Sequence, residues 1–379
     1  MPFSARLGFY GETGPPLPDP EWYELSNTEI SAAISSFELT GTRSSSSFDL
    51  GSTIYSTNGA YRGGVAAPNG NVYLAPSAKS TSNILEYDPS TGNATEIDSG
   101  ETLSGPLRYL NGALANNNKI YWAPYNMDKF LIYDVDAGSF ELQDWGLTLS
   151  NPGYEFIKAA GDKLYCIGTP ANAVIINVSA NTAVESTLNV SLGGPTFAKF
   201  VSGTRSVADN CIYAAPYNKT QVLKIDPTTD EGTLNNYGET ISAQASQGIT
   251  NGKNGNLYIT SHNANRVYEL DPVNNVMTTI STGGTTTMGA AMGTDGNVYG
   301  GAFDQGMFIN VDTAGVTNNP SYIPSGEQRW GAVSQGSTIL MFPAQTSNTH
   351  VYHIDTAGSG TSSSILNEIT WSNYFNGTR

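Results

Sequence analysis

Charge is scarce in this 379-residue chain: Lys, Arg, Asp and Glu together make up 13% of it, about half the usual ~25%. What charge exists is acidic, 17 Lys+Arg against 33 Asp+Glu, for a net −16. That balance excludes a nucleic-acid binder, which needs a basic patch to displace counterions. Cysteine is nearly absent. Cys166 and Cys211 make no disulfide framework; their offset of about three residues along neighbouring strands, roughly 10 Å, exceeds disulfide reach, so two buried free thiols are expected. The three histidines, His262, His350 and His353, form no His-Glu-x-x-His pair, and neither a Gly-x-Ser-x-Gly elbow nor a phosphate loop occurs. His350 and His353 are opposite in strand parity and make poor co-ligands; each is expected on a turn, facing solvent or bonding locally. No cofactor and no metal is expected. No apolar run approaches the ~18 residues of a membrane span, and the N-terminal residues lack the apolar core of a secretory signal. Amphipathic helical periodicity is missing too. A hydrophobic content of 39% with 10% aromatics still suffices for a packed core, which argues against disorder.

Asn, Gly, Ser and Thr fill the polar quota, and they do so periodically. A turn followed by an aliphatic-Tyr pair appears as Asn69-Gly70-Asn71-Val72-Tyr73 and returns with Tyr121, Tyr165, Tyr213, Tyr258 and Tyr299, then with Leu340 in place of Tyr. By subtraction these anchors are 48, 44, 48, 45, 41 and 41 residues apart. After each comes an alternating apolar run ending in Asp88, Asp134, Asn177, Asp226, Asp271, Asp312 or Asp355. Each unit reads as four short strands, the first rich in small residues and the hairpins built on Asn-Gly and Asp-Gly turns that need positive φ. Seven such units of ~40–50 residues specify an all-β, seven-bladed β-propeller. The recurring Asp reads as an Asx-turn cap rather than a ligand, and the Tyr as packing between blades.

The blades occupy residues 61–366. Residues 1–60 read as an N-terminal arm and closing strand, and 367–379 as an aromatic C-terminal tail. Pro15, Pro16, Pro18 and Pro20 make residues 1–25 an extended arm, expected to anchor the chain to a partner. A segment around Phe37-Glu38-Leu39 or Phe48-Asp49-Leu50 is placed to supply the outer strand of the last blade, which pins the ring and removes an edge.

Candidate binding residues lie on the face carrying the loops between second and third strands. Ala123-Pro124-Tyr125-Asn126 recurs two blades later as Ala215-Pro216-Tyr217-Asn218, with Trp122 beside the first. A Tyr platform next to an Asn suits a sugar ring; loop shaping is the alternative reading. Arg62, Arg108 and Arg329 stand at comparable positions on the approach to first strands, with Tyr61, Tyr109 and Trp330 adjacent. They read either as a carboxylate- or phosphate-binding mouth or as ties between blades.

The Asn-Gly-Asn-x-Tyr … Asp-Pro-x-Thr-Gly rhythm resembles the seven-bladed propellers of the streptogramin-lyase and YncE-like group over about four-fifths of the chain. That resemblance implies the propeller and, for the lyases, a His acting with metal-binding Glu residues of neighbouring blades. The nearest echo is Tyr258–Val267, where Ser261 stands in place of the expected Glu, so the expectation is a protein that is not an enzyme. In its hydroxyl- and amide-rich composition and its arm, the chain also looks like a bacteriophage virion protein. The expected role is non-enzymatic: a tail, fibre or head-decoration component anchored by residues 1–25 to other virion proteins. It would sit in a large symmetric assembly and display the propeller to a protein or host glycan, with no nucleic-acid or membrane contact. The alternatives are a metal-dependent lyase-like propeller enzyme and an intracellular protein-binding scaffold.

Overall fold

The computed structural model describes residues 43–356 except residue 55 and the loop stretches 79–80, 102, 104–106, 150–152, 169–171, 193–198, 243–245, 262–263, 284–286, 303–305, 319, 321–328 and 344–348, together with two short strands, Phe3–Ala5 and Tyr23–Leu25. Those two pair antiparallel in a sheet of their own. The arm, its proposed partners and the C-terminal tail otherwise lie outside the described residues, as does His262.

Seven four-stranded antiparallel sheets make the propeller. Blade 1 runs Tyr61–Ala66, Val72–Pro76, Ile84–Asp88, Asn93–Ile97. Blade 2 is Tyr109–Leu114, Lys119–Pro124, Phe130–Asp134, Ser139–Gln143; blade 3 is Tyr154–Ala160, Lys163–Gly168, Ala173–Asn177, Thr182–Ser186. Blade 4 is Phe200–Arg205, Ile212–Pro216, Val222–Asp226, Glu231–Asn235; blade 5 is Ser246–Asn251, Leu257–Ser261, Arg266–Asp271, Val276–Ser281. Blade 6 is Thr287–Met292, Val298–Ala302, Met307–Asn310, Gly315–Asn318. Blade 7 takes Arg329–Gln335, Thr338–Pro343 and His350–Asp355 from the chain's end and its outer strand, Ser44–Asp49, from near its start. First strands of successive blades touch all the way round, blade 7 to blade 1 included. The ring is thus closed twice, at the axis and at the rim, and leaves blade 7 no shortened sheet.

The repeated phrases have distinct jobs. The phrase tyrosines are buried between blades, and the turn residue four positions earlier satisfies most hydroxyls. Asn69 donates to Tyr73 (2.8 Å), Asn117 to Tyr121 (3.0 Å) and Asn254 to Tyr258 (3.0 Å), while Tyr213 donates to Asp209 (2.7 Å) and Tyr299 to Asp295 (2.8 Å). In blade 3 that position is Gly161, and Tyr165 reaches into blade 4 to bond Asp230 instead. A buried hydroxyl left without a partner is costly, so one of the two routes is required. The strand-three residues cap their turns: Asp88 Oδ1 accepts from Ser90 N (2.8 Å), Asp226 Oδ1 from Thr228 N (2.8 Å), Asp271 Oδ1 from Val273 N (2.9 Å). The hydroxyl of Ser90, the hydroxyl of Thr228 and the backbone N–H of Asn274 lead, with these bonds, in holding the Asp88, Asp226 and Asp271 carboxyls respectively below the usual carboxylate range. Blade 6 departs from the sequence reading. Its cap is Asn310, which accepts from Asp312 N (3.0 Å) and Thr313 N (3.2 Å), while Asp312 pairs with Lys253 of blade 5. The third strand of this blade has four residues against five or six in its counterparts, which moves the turn.

Cys166 and Cys211 are free and buried in different clusters, as expected. His353 is not on a solvent-facing turn. It is buried in the seam between blades 7 and 1, hydrogen-bonded to Tyr87 and packed on Phe48 of the closing strand at 4.5 Å. Strand parity alone could not reveal that blade 1 covers it.

Candidate functional site

In each blade the 1–2 and 3–4 turns lie at one end and the 2–3 loops and blade connections at the other. At the second end every first strand carries a register shift just after it begins, with one extra residue relative to its partner strand. Such bulges bend the strand and re-aim side chains. They fall beside the candidate residues.

Blades 2 and 4 present Tyr125 and Tyr217 alike. Tyr125 N donates to the Arg108 carbonyl and Tyr217 N to the Lys199 carbonyl, both at 2.7 Å. Each ring is half-buried; Asn126 is exposed and Asn218 half-exposed. The repeated tetrapeptide therefore builds the same feature twice, each Tyr tied through its backbone N–H to the carbonyl of a buried basic residue.

The three arginines do not share one level. Tyr61 lies opposite Pro76, Tyr109 opposite Pro124 and Arg329 opposite Pro343. Arg108 thus comes one residue before the common level, Arg329 sits on it, and Arg62 follows one after. Every first strand carries the same one-residue bulge, so the offset comes from where each arginine stands: Arg108 just before its strand, Arg329 first and Arg62 second in theirs. The side chains of Arg329 and Trp330 lie outside the described residues. Trp122 is fully buried, and its Nε1 donates to the Gly63 carbonyl (3.2 Å); it ties blade 2 to blade 1 and presents no surface to a ligand. Arg108 is buried too, its Nη1 donating to the Thr81 carbonyl (2.8 Å).

Glu155, the partner of Arg62, carries no sequence signal. It sits at the bulge of blade 3 and is 8% exposed. Burial pushes its carboxyl up to about 7, opposed by the Arg62 guanidinium. Burial in turn brings Arg62 down to about 10, against the pull of Glu155 and of Tyr125. Arg62 of blade 1, Tyr125 of blade 2 and Glu155 of blade 3 thus form one electrostatic unit. Asn111 of blade 2 knits the inner strands together here, donating to the Glu155 carbonyl (2.6 Å) and toward the Val201 carbonyl of blade 4 (3.5 Å). Gly63 lets blade 1 approach: a Cβ there would stand 2.7 Å from Asn111 Cα, at φ +64°. Deeper along the blade 3 strand, burial lowers the Lys158 ammonium to about 8. Lys199 is lowered by burial and by neighbouring Lys219.

Ser261, at the lyase-like position, is buried, and its Oγ accepts from Ala264 N (2.7 Å), capping the loop that follows. Among the described residues no group of three or more His, Cys, Asp or Glu is arranged to hold a metal ion, and no helix is long and apolar enough to cross a membrane.

No protein-family model and no curated protein matches the sequence. Solved structures do match. A streptogramin B lyase superimposes with a TM-score of 0.65 at 14% identity, over 82% of this chain and 97% of that one. A catalytically inactive virginiamycin B lyase from Staphylococcus aureus with quinupristin gives 0.67 at 11%, over 83% and 99%. The extracellular domain of a putative one-component system from B. thetaiotaomicron gives 0.60 at 13%, over 82% of this chain and 40% of that one. At such identities the likeness is one of fold: this chain is a seven-bladed β-propeller resembling streptogramin B lyase and, equally, a sensor's extracellular domain.

Proposed function

We propose that the protein is a non-enzymatic binding propeller of a bacteriophage virion, displaying its 2–3-loop face to a host glycan. The observation that carries the reading is the duplicated platform. Tyr125 and Tyr217 are held by identical 2.7 Å backbone bonds two blades apart, each with a ring partly open to solvent and an amide side chain beside it. Paired aromatic faces with adjacent amides suit saccharides, whose rings offer apolar faces and hydroxyl edges. Ser261 supports a binding role over a lyase-like one, since its hydroxyl is engaged in holding a loop where that chemistry would place a carboxylate. The charge-poor exterior and the doubly closed ring suit rigid display. Attachment through residues 1–25 to other virion proteins belongs to the same proposal.

The test is binding of the purified protein to host cells and to a glycan array, beside a Tyr125→Ala/Tyr217→Ala variant. Loss of binding in a folded variant supports the reading; undiminished binding removes the sugar site. Mass spectrometry of purified particles decides the virion role, and a metal-dependent elimination activity in the isolated protein would replace the whole reading with the lyase-like one.

A further inference from the structure

The seam between blades 7 and 1 differs from the rest of the ring. Here the chain closes on itself, and blade 7 is the blade in which Leu340 replaces the phrase Tyr. Among the described residues, the first strands of blades 7 and 1 touch less extensively than those of any other neighbouring pair. Farther from the axis the two blades are joined by a polar bond. His353, on the third strand of blade 7 opposite Leu340, is hydrogen-bonded to Tyr87 on the third strand of blade 1. His353 is 8% exposed and Tyr87 is fully buried. The Tyr87 ring stands edge-on to His353 (5.5 Å) and to Phe342 (5.4 Å).

The closing strand, Ser44–Asp49, covers this bond with one side chain. Ser44 to Ser47 and Asp49 are exposed, and Phe48 alone turns inward. Its ring lies 4.5 Å from that of His353 and rests on Gly92 of blade 1, where a Cβ would stand 2.0 Å from Phe48 Cδ1. Arg43 fastens the strand's start to Asp295 of blade 6, and Leu50 N donates to the Thr349 carbonyl (3.0 Å) at its end. Between those ends the strand adds its backbone ladder and the serines.

A cation at His353 works against this packing. Burial alone acts on its imidazole, with no carboxylate offsetting it, and holds it neutral down to about 4. The charged and titratable groups around it are otherwise engaged. On blade 1, Asp88 accepts from Ser90 and Thr91 of its own turn, and Glu86 and Glu96 accept from Tyr73 and Tyr61. On the closing strand, Asp49 accepts from Gly51 N (2.9 Å) and from Thr349. His350 and Asp355 lie at the two ends of the His353 strand, and the neighbouring strand Thr338–Pro343 carries no charge.

We propose that this seam is an acid-sensitive latch: a proton taken up by His353 puts an uncompensated cation beneath Phe48, and the strand Ser44–Asp49 detaches from blade 7. Everything N-terminal to the strand is then freed from the ring. In the detached state the imidazole returns toward its ordinary 6.5, so the detached fraction rises about 20-fold between pH 7 and 5. The bond from Thr349, followed by that from Gly51, holds the Asp49 carboxyl below its usual range. Asp49 therefore stays charged, and keeps both bonds, throughout that window.

Hydrogen exchange followed by mass spectrometry on the full chain, corrected for the intrinsic effect of pH, tests the latch. The outer strands of blades 3 and 4, Thr182–Ser186 and Glu231–Asn235, are the internal references. Protection of the amides of residues 44–50 is expected to fall about 20-fold from pH 7 to 5, while the reference strands stay level. His353→Gln, which can keep a bond to Tyr87, is expected to abolish the fall. Tyr87→Phe is expected to lower protection of the closing strand already at pH 7. Circular dichroism checks that both variants fold, and the comparison of strands within wild type stands without them. The proposal is overturned by a closing strand that follows the references, by a His353→Gln variant that still loses protection in acid, or by a Tyr87→Phe strand as protected as wild type at pH 7. None of these outcomes touches the glycan reading.

Discussion

Two buried groups are expected to hide one another in the pH dependence of stability. His353 is held neutral in the seam between blades 7 and 1, with burial lowering it from 6.5 to about 4. In the unfolded chain it takes up a proton near its ordinary value. Its contribution is complete above pH 6.5 and is lost as pH falls toward 4, because there the unfolded state binds the extra proton. Glu155 has the opposite sign. Its carboxyl rises from 4.5 to about 7 on folding, so between those values the native state binds the extra proton and stability increases as pH falls. Each slope is about 1.4 kcal/mol per pH unit at most. Integrated between pH 7 and 5, each group moves stability by about 2 kcal/mol. The two nearly cancel.

Urea unfolding followed by Trp fluorescence at a series of pH values is the assay. Wild type is expected to be flat across this window. His353→Gln, which can keep a bond to Tyr87, should gain about 2 kcal/mol on acidification, and Glu155→Gln should lose as much. The turn-capping carboxylates Asp88, Asp134, Asp226 and Asp271 are all held below the usual carboxylate range, so they release their contribution only at lower pH and leave the window clear. Parallel curves for wild type and both variants would refute the reasoning, since they would mean that neither group changes its proton affinity on folding.

Three further expectations concern closure and packing. Arg43 donates to Asp295 (2.7 Å) and to Tyr299 (2.7 Å) from just before the closing strand; Arg43→Met should cost about 2 kcal/mol by leaving Asp295 buried without its cation, and adding Asp295→Asn should return much of that in a double-mutant cycle. Gly63→Ala should cost about 2–4 kcal/mol and lower the melting temperature, because its Cβ meets backbone at 2.7 Å in a left-handed conformation. Tyr165→Phe should cost only about 1 kcal/mol, because Lys163 still serves Asp230 at 2.7 Å.

The propeller was legible because its phrases carry local chemistry. A turn residue that serves its Tyr four positions later, and an Asp that caps its own turn, must recur wherever the unit recurs. The closing strand was legible for a similar reason: Phe48 stands out in a Ser run, and it lies against His353. Across-blade relations were not legible. Arg62, Arg108 and Arg329 looked level because the sequence does not mark where each first strand begins, and the bulges leave no residue signature either: Gly63-Gly64, Leu110-Asn111 and Glu155 all serve at or beside one. Trp122 looked like part of a ligand platform because it stands beside Ala123-Pro124-Tyr125-Asn126; strand alternation turns it instead onto Gly63. Glu155 was invisible because a lone Glu in an apolar strand acquires meaning only when Arg62, ninety-three residues earlier in the chain (155 − 62), is brought beside it.

Lys158 offers a sharp test of what the fold itself requires. Burial lowers it from 10.5 to about 8, so near pH 7 the native state carries a charge that the unfolded chain holds more favourably. Carrying it costs about 3 kcal/mol at full shift, and about 2 kcal/mol once partial exposure is allowed for. Blades 1 and 7 place Val65 and Val333 at the same register position, so the backbone there already accommodates valine. Lys158→Val is therefore expected to stabilise the protein by about 1–2 kcal/mol near neutral pH, the loss of some stem packing included. The gain should shrink as pH rises from 8 toward 10.5, because the native lysine then sheds its proton first. Chemical denaturation across that pH range reads the effect. A variant less stable than wild type would show that Lys158 belongs to the architecture, and the case for a charge retained against the interest of the fold would go with it.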